Sequence, residues 1–303
     1  RDCLLSRGLG DVYKRQKQFP DNKKSSFQGN EIHFSLPKKE LSMKIGTCVN
    51  FSEIDGMEKK FAQLREHNFD SCQLVSWNPA AWTDENANTL KTLLEQYQIT
   101  VSAFWCGWTG PSAWNFYDGQ LTLGLVPVEY RQMRIENLCD GADFAHKLGI
   151  TDVVTHMGFI PENPYDPNFS SFCIAVRTVA EHLKKNGQCL LFETGQETPV
   201  TMLRCFAAVG TDNLYVNLDT ANLILYGKAN PADALDVFGK YVRNLHAKDG
   251  CYPTNGHELG AETPIGQGKV DFRAVFTKLH ELGYNSYVTI EREIDLSLIH
   301  ISE

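Results

Sequence analysis

The sequence predicts an α/β protein of the (β/α)8 TIM-barrel class, and three observations carry that prediction. Short apolar runs rich in Leu, Val, Ile and Tyr alternate with longer stretches of helical periodicity, the pattern of successive strand–helix units. Gly149, Gly187, Gly210 and Gly283 each follow such a stretch, where a helix C-terminal cap would lead back into a strand. Four runs in the second half, Cys189 to Glu193, Leu214 to Asp219, Val242 to His246 and Tyr287 to Glu291, each deliver a metal-capable side chain as polarity returns. A chain of 303 residues with 42% hydrophobic content can bury a large core, and one such barrel takes roughly 250 residues.

Taken in order, the expected strands are Lys44 to Phe51, Ser71 to Ser76, Thr100 to Cys106, Asp152 to His156, Gln188 to Glu193, Leu214 to Asp219, Val242 to Lys248 and Ser286 to Glu291. Each is a short run bounded by polar or glycine-bearing residues, the signature of a buried strand. The expected helices are Gly56 to His67, with Met57, Phe61 and Leu64 on one face, then Asn86 to Tyr97, Tyr130 to Leu148, Phe169 to Lys185, Pro199 to Val209, Pro231 to Phe238 and Phe272 to Leu282. Eight strands thus meet seven helices, and an eighth helix is expected after Ile294. Arg1 to Gln16 and Asp295 to Glu303 resemble translated adapter or vector remnants, and Lys17 to Ser42 is polar and aperiodic. The expected layout is a non-native or disordered extension over 1–42, a barrel over 43–294 beginning at Met43, and a non-native tail over 295–303 that has replaced the last helix.

A formal charge of -8 disfavours a nucleic-acid partner, which normally needs clustered Lys and Arg. No apolar run reaches the roughly 18 residues of a membrane span, and the nine Cys show no paired C-x-x-C spacing. A cytoplasmic protein with reduced, packed thiols and a small-molecule substrate is expected, with a homo-oligomer left open. Parallel strands put their C-terminal ends on one rim, so Glu193, Asp219, His246 and Glu291 can converge although far apart in sequence. Three carboxylates and one imidazole form a mixed oxygen and nitrogen set suited to a divalent cation.

These residues stand in recognisable surroundings: Asp219 in Leu-Asp-Thr-Ala-Asn, His246 in Asn-Leu-His-Ala-Lys-Asp-Gly, Glu291 in Thr-Ile-Glu-Arg-Glu, and the segment Gly266-Gln267-Gly268-Lys269-Val270-Asp271-Phe272. Together they resemble the sugar phosphate isomerases and epimerases of the xylose-isomerase-like barrel superfamily, over Met43 to Ile294. The resemblance implies that Glu193, Asp219, His246 and Glu291 bind one divalent ion, most often manganese with magnesium or cobalt as alternatives. It also implies that Glu193 and Glu291 serve as acid and base. Such an enzyme removes a proton beside a carbonyl while the ion stabilises the enediolate, and two carboxylates on opposite faces would invert the centre. Free-ketose 3-epimerases usually carry a His three residues after the metal Asp and an Arg six after the metal His, where this chain has Asn222 and Tyr252. That departure argues against direct transfer of a free-ketose 3-epimerase activity and leaves sugar phosphates, other polyols or an inosose-type dehydration open.

Each residue has an ordinary alternative. A single acid at a strand end commonly caps a helix or joins a salt bridge, whereas four at consecutive strand ends form a pattern. His156, ending the fourth strand, touches substrate or is a packed histidine; His67, His146, His182 and His280 sit on helices and read as solvated or packing. Trp105 and Trp108 form either an aromatic wall over a sugar or core packing. Glu197 either bonds a substrate hydroxyl or starts the next helix, and Lys248 either holds an anionic group or pairs with Asp249. Asn222 is a further substrate contact by position. Gly266 and Gly268 read as a turn, and Tyr252 and His257 lie in a long loop able to cover the site. Two rival functions are a metal-dependent abasic-site endonuclease, which would need more His ligands and a basic face, and a sugar sensor, which would lack the acid–base pair.

Overall fold

Alternating side-chain direction along each apolar run commits it to a strand buried on both sides, and eight such strands close on themselves without an exposed edge. A computed structural model describes residues 43–293. Its barrel strands are β1 (Lys44–Asn50), β2 (Ser71–Ser76), β3 (Thr100–Cys106), β4 (Asp152–Thr155), β5 (Cys189–Glu193), β6 (Leu214–Asp219), β7 (Val242–Ala247) and β8 (Tyr287–Ile290). All are parallel, each pairs with the next in sequence, and β8 closes the ring on β1 with Lys44 opposite Tyr287. The outer helices are α1 (Met57–Glu66), α2 (Asp84–Gln96), α3 (Val128–Lys147), α4 (Pro167–Lys185), α5 (Pro199–Val209), α6 (Pro231–Phe238) and α7 (Phe272–Glu281). Short helices Gly119–Thr122 and Asn222–Leu225 lie in loops after β3 and β6. The expected eighth helix and the expectations for 1–42 and 295–303 fall outside the described residues.

Three helices start earlier than their apolar periodicity suggests, two of them where a side-chain cap rather than a core contact sets the first turn. Thr83 accepts a hydrogen bond from the Asn86 amide at the head of α2, and Asp166 accepts one from Asn168 ahead of Pro167 in α4. α3 likewise begins at Val128, directly behind Pro127. The four glycines expected as caps all take positive φ, between 71° and 76°.

The main core fills the space between strands and helices. Phe51 stacks on Phe144 at 5.7 Å, Phe104 packs on Phe144 at 5.7 Å, and Phe192 meets Phe206 edge-on at 5.0 Å. Each fully buried ring contributes about 2–3 kcal/mol of transfer free energy. The barrel interior divides differently. A second apolar cluster of Ala103, Trp105, Trp108, Val154, Leu191 and Tyr226 backs the β3–β5 side. Polar and charged groups occupy the ends of β5 to β8. Among the described residues no helix is long and apolar enough to cross a membrane, and the eight cysteines there are all free.

Candidate metal and active site

Four consecutive strand ends build one cluster. Glu193 and Asp219 are the last residues of β5 and β6, His246 is the penultimate residue of β7, and Glu291 directly follows β8. Register accounts for the meeting: Asp219 lies opposite His246, and His246 opposite Thr289, two residues before Glu291. One ligand atom from each of the four lies within 4.8 Å of all the others. His246 Nδ1 is 3.1 Å from Glu291 Oε2, 3.3 Å from Glu193 Oε1 and 3.7 Å from Asp219 Oδ2.

The surroundings aim each donor inward. His246 Nε2 lies 2.8 Å from Gln73 Oε1 on β2, so that nitrogen donates its proton outward and Nδ1 faces the carboxylates. Asp219 Oδ1 accepts the Asn222 amide at 2.7 Å, while its buried Oδ2 has no hydrogen-bond partner. The Thr194 hydroxyl donates to the Asp219 carbonyl at 2.8 Å and accepts its amide at 2.9 Å, locking the ends of β5 and β6 together. Trp105 donates its indole N–H to Glu193 Oε2, and Asn222 donates to Glu193 Oε1 at 3.3 Å. A buried oxygen without a partner inside a set of three carboxylates and an imidazole is what a divalent cation fits; these four residues would hold it.

Electrostatics in the cluster follow from crowding. Burial pushes the Asp219 carboxyl up to about 7, against the pull of Lys248 and His246. Burial disfavours the His246 imidazolium, but Glu291 and Glu193 outweigh it and hold the group well above its ordinary value. Glu291 is raised by burial and then carried well below the usual range by His246 and Lys248. Protons and Lys248 therefore compensate charge that a divalent ion would otherwise offset.

The remaining expected residues are placed as follows. His156 immediately follows β4 and is buried; its Nε2 is 3.6 Å from Glu193 Oε1, and burial lowers its pKa although Glu193 opposes the shift. Asn222 bridges Glu193 and Lys248, accepting from the Lys248 ammonium at 3.4 Å. Lys248 is 1% exposed and is held by Glu291 at 3.2 Å, by Asp219 at 3.6 Å and by Glu293. It does not pair with Asp249, whose carboxylate instead accepts the amides of Gly250, Gly266, Gly268 and Val270. The Gly266 to Gly268 segment is thus a turn wrapped on Asp249. Glu197 does not cap α5; Thr198 does, and both Glu197 carboxyl oxygens are buried without partners. Burial pushes the Glu197 carboxyl up to about 8. Trp105 and Trp108 are both buried, and the Trp108 ring lies against the Arg134 guanidinium at 5.1 Å. His257 stacks on Tyr117 at 4.2 Å, joining the loop after β7 to the loop after β3.

Several groups escaped the sequence reading. Gln73 and Asn217 are polar residues inside apolar strands, a signal that they face the barrel lumen. Glu293 left only its proximity to Glu291 as a hint. Trp77 and Trp114 join Trp105 and Trp108 in one aromatic wall.

With the geometry in hand, the family profile described as xylose isomerase-like TIM barrel matches residues 61–299. The chain belongs to this family. A solved xylose isomerase domain protein from Planctomyces limnophilus is 30% identical, with a TM-score of 0.77 over 84% of this chain and 92% of that one. A D-tagatose 3-epimerase-like protein shares the fold at 20% identity, with a TM-score of 0.64 over 85% and 94% of the two chains. An inosose dehydratase of Lacticaseibacillus casei is 22% identical over 50% of this chain and 61% of its own length.

Proposed function

We propose that this chain is a divalent-metal-dependent isomerase or epimerase that moves a proton at the carbon beside the carbonyl of a sugar or related polyol. The observation that carries this reading is the convergence of Glu193, Asp219, His246 and Glu291 within 4.8 Å. A divalent ion held there, manganese before magnesium or cobalt, supplies Lewis acidity that polarises the carbonyl and makes the neighbouring C–H more acidic. Glu193 ends β5 and Glu291 directly follows β8, with β6 and β7 between them, a separation that supports approach to the substrate from different directions. One takes the proton and the other returns one. Trp105 and Asn222 hold Glu193 in orientation, and Lys248 holds Glu291. The metal-loaded protein is tested with ketoses, aldoses and their phosphates in deuterated water, with label and stereochemistry read by NMR. Exchange that falls by about 10²–10⁴ in Glu193→Gln and Glu291→Gln supports the assignment; exchange that persists in both variants refutes it.

One observation favours dehydration as a second reading. Glu197 is close enough to Glu193 to feel its charge, and burial keeps it protonated near neutrality, as an acid delivering a proton to a departing hydroxyl would be. The resemblance to inosose dehydratases points the same way. In the same NMR experiment, loss of water from a polyol ketone selects this reading over epimerisation.

A further inference from the structure

The chain has five tryptophans, and four of them form a single contact group beside the cluster. Trp77 is its hub, 4.9 Å from Trp105, 5.0 Å from Trp108 and 6.3 Å from Trp114. The inner two are buried and engaged: Trp105 bonds Glu193, and Trp108 lies against Arg134. The outer two are not, since Trp77 is 36% and Trp114 41% exposed, with their rings at 90° to each other. Two neighbouring indoles left open at the mouth of a site form an apolar corner that a flat ring can fill.

Trp114 joins this corner to the candidate site, and Trp77 reaches it through its contacts with Trp105 and Trp114. Trp114 lines a cavity of about 260 Å³ with His156, Asn222, Tyr226 and Glu293, residues adjoining the carboxylate cluster. The Trp114 ring is 5.2 Å from His156, which is itself 3.6 Å from Glu193. Trp77 is held in place by backbone: a Cβ at Gly107 would stand 2.5 Å from its ring. Among the described residues lining the cavity none is a cation, and Lys248 behind it is occupied by three carboxylates. A phosphate has no counter-charge there, whereas a neutral ring has a stacking surface.

We propose that Trp77 and Trp114 form a second-ring subsite, so that the substrate is a ring-bearing glycoside rather than a lone monosaccharide or a sugar phosphate. This rests on the sugar-directed reading above and names its substrate class. The sugar unit at the cluster carries the reacting carbon beside a carbonyl that the glycosidic linkage leaves free, and the ring joined to it through a glycosidic oxygen, glycosyl or aryl, stacks in the corner; the closed glucosides below lack that carbonyl and report binding alone.

Calorimetry on the manganese-loaded full chain tests this with glucose, methyl β-glucoside, cellobiose and 4-nitrophenyl β-glucoside. Cellobiose or the aryl glucoside is expected to bind about tenfold or more tightly than the first two, as one added aromatic contact would give. Which of the two gains more identifies a glycosyl or an aryl ring. Trp114→Ala and Trp77→Ala should narrow the gap with metal content unchanged, and Trp77→Phe, which keeps a ring against Gly107, should retain part of it. Equal binding of all four probes, or a gap that survives both alanine variants, overturns the subsite. A change in oligomeric state on sedimentation of the alanine variants also overturns it, because a second copy would then cover the corner. Failure of the underlying sugar reading looks different: every probe, glucose included, would bind the same with manganese as with chelator.

Discussion

Replacing Glu197 with glutamine should flatten the fall in stability between about pH 5 and about pH 8 in metal-free protein. The carboxyl is fully buried, both oxygens lack partners, and burial raises it from 4.5 to about 8. The folded protein therefore keeps a proton that the unfolded chain releases above its ordinary value. The contribution is most favourable below the unfolded pKa, declines as pH climbs towards the folded one, and is level beyond it. At about 1.4 kcal/mol per pH unit, wild type should lose roughly 3 kcal/mol over that interval from this group alone. Glutamine has nearly the same shape and no titration, so its variant should lack that component. Urea unfolding at both pH values in chelator gives the two differences directly. A variant with the wild-type slope, or one more pH-dependent than wild type, would show that Glu197 does not hold its proton by burial.

Divalent metal should bind more tightly as pH rises through about 7, because the ion displaces protons from Asp219 and His246. Titrations at several pH values should show proton release, and Asp219→Asn and His246→Ala should each weaken binding by 10-fold or more, at roughly 1.4 kcal/mol per tenfold. Arg134 is fully buried on α3 and donates to the carbonyls of Gly124 at 2.6 Å and Pro111 at 2.8 Å. Arg134→Leu should cost about 2–4 kcal/mol in chemical unfolding, since it strands those acceptors and removes the packing on Trp108; a change under about 0.5 kcal/mol would contradict that role.

Strand positions were legible because the same residues satisfy two demands at once. A run such as Leu214-Tyr215-Val216-Asn217-Leu218-Asp219 must be apolar to be buried and must turn polar where the rim begins, so its last residue marks both the strand end and the candidate donor. Helix starts were less legible because apolar periodicity registers only core contacts, whereas Thr83 and Asp166 act on the backbone. Arg134 did leave a trace: Arg131, Arg134 and Leu138 share one helical face, placing two guanidinium groups where apolar residues would be expected. For Lys248 the sequence leaves two partners open, an anionic group or its neighbour Asp249, because chain proximity does not fix side-chain direction after a strand, where successive residues face opposite ways; the ammonium turns to the carboxylates of Asp219, Glu291 and Glu293. Trp77 and Trp114 come from separate loops, and nothing local joins them.

Asp249 gathers the amides of Gly250, Gly266, Gly268 and Val270, and the short strands Asp249–Gly250 and Glu262–Thr263 pair beside it. The loop after β7 therefore leaves the barrel through a neck tied by one carboxylate, immediately beyond His246 and Lys248. Strain or slack arising farther out in residues 251–261 is absorbed at that knot before it reaches the donor set. Length and composition beyond the knot can then drift at the modest entropic cost of a longer closed loop, and the loop can diversify what it covers while the chemistry beneath it stays in register.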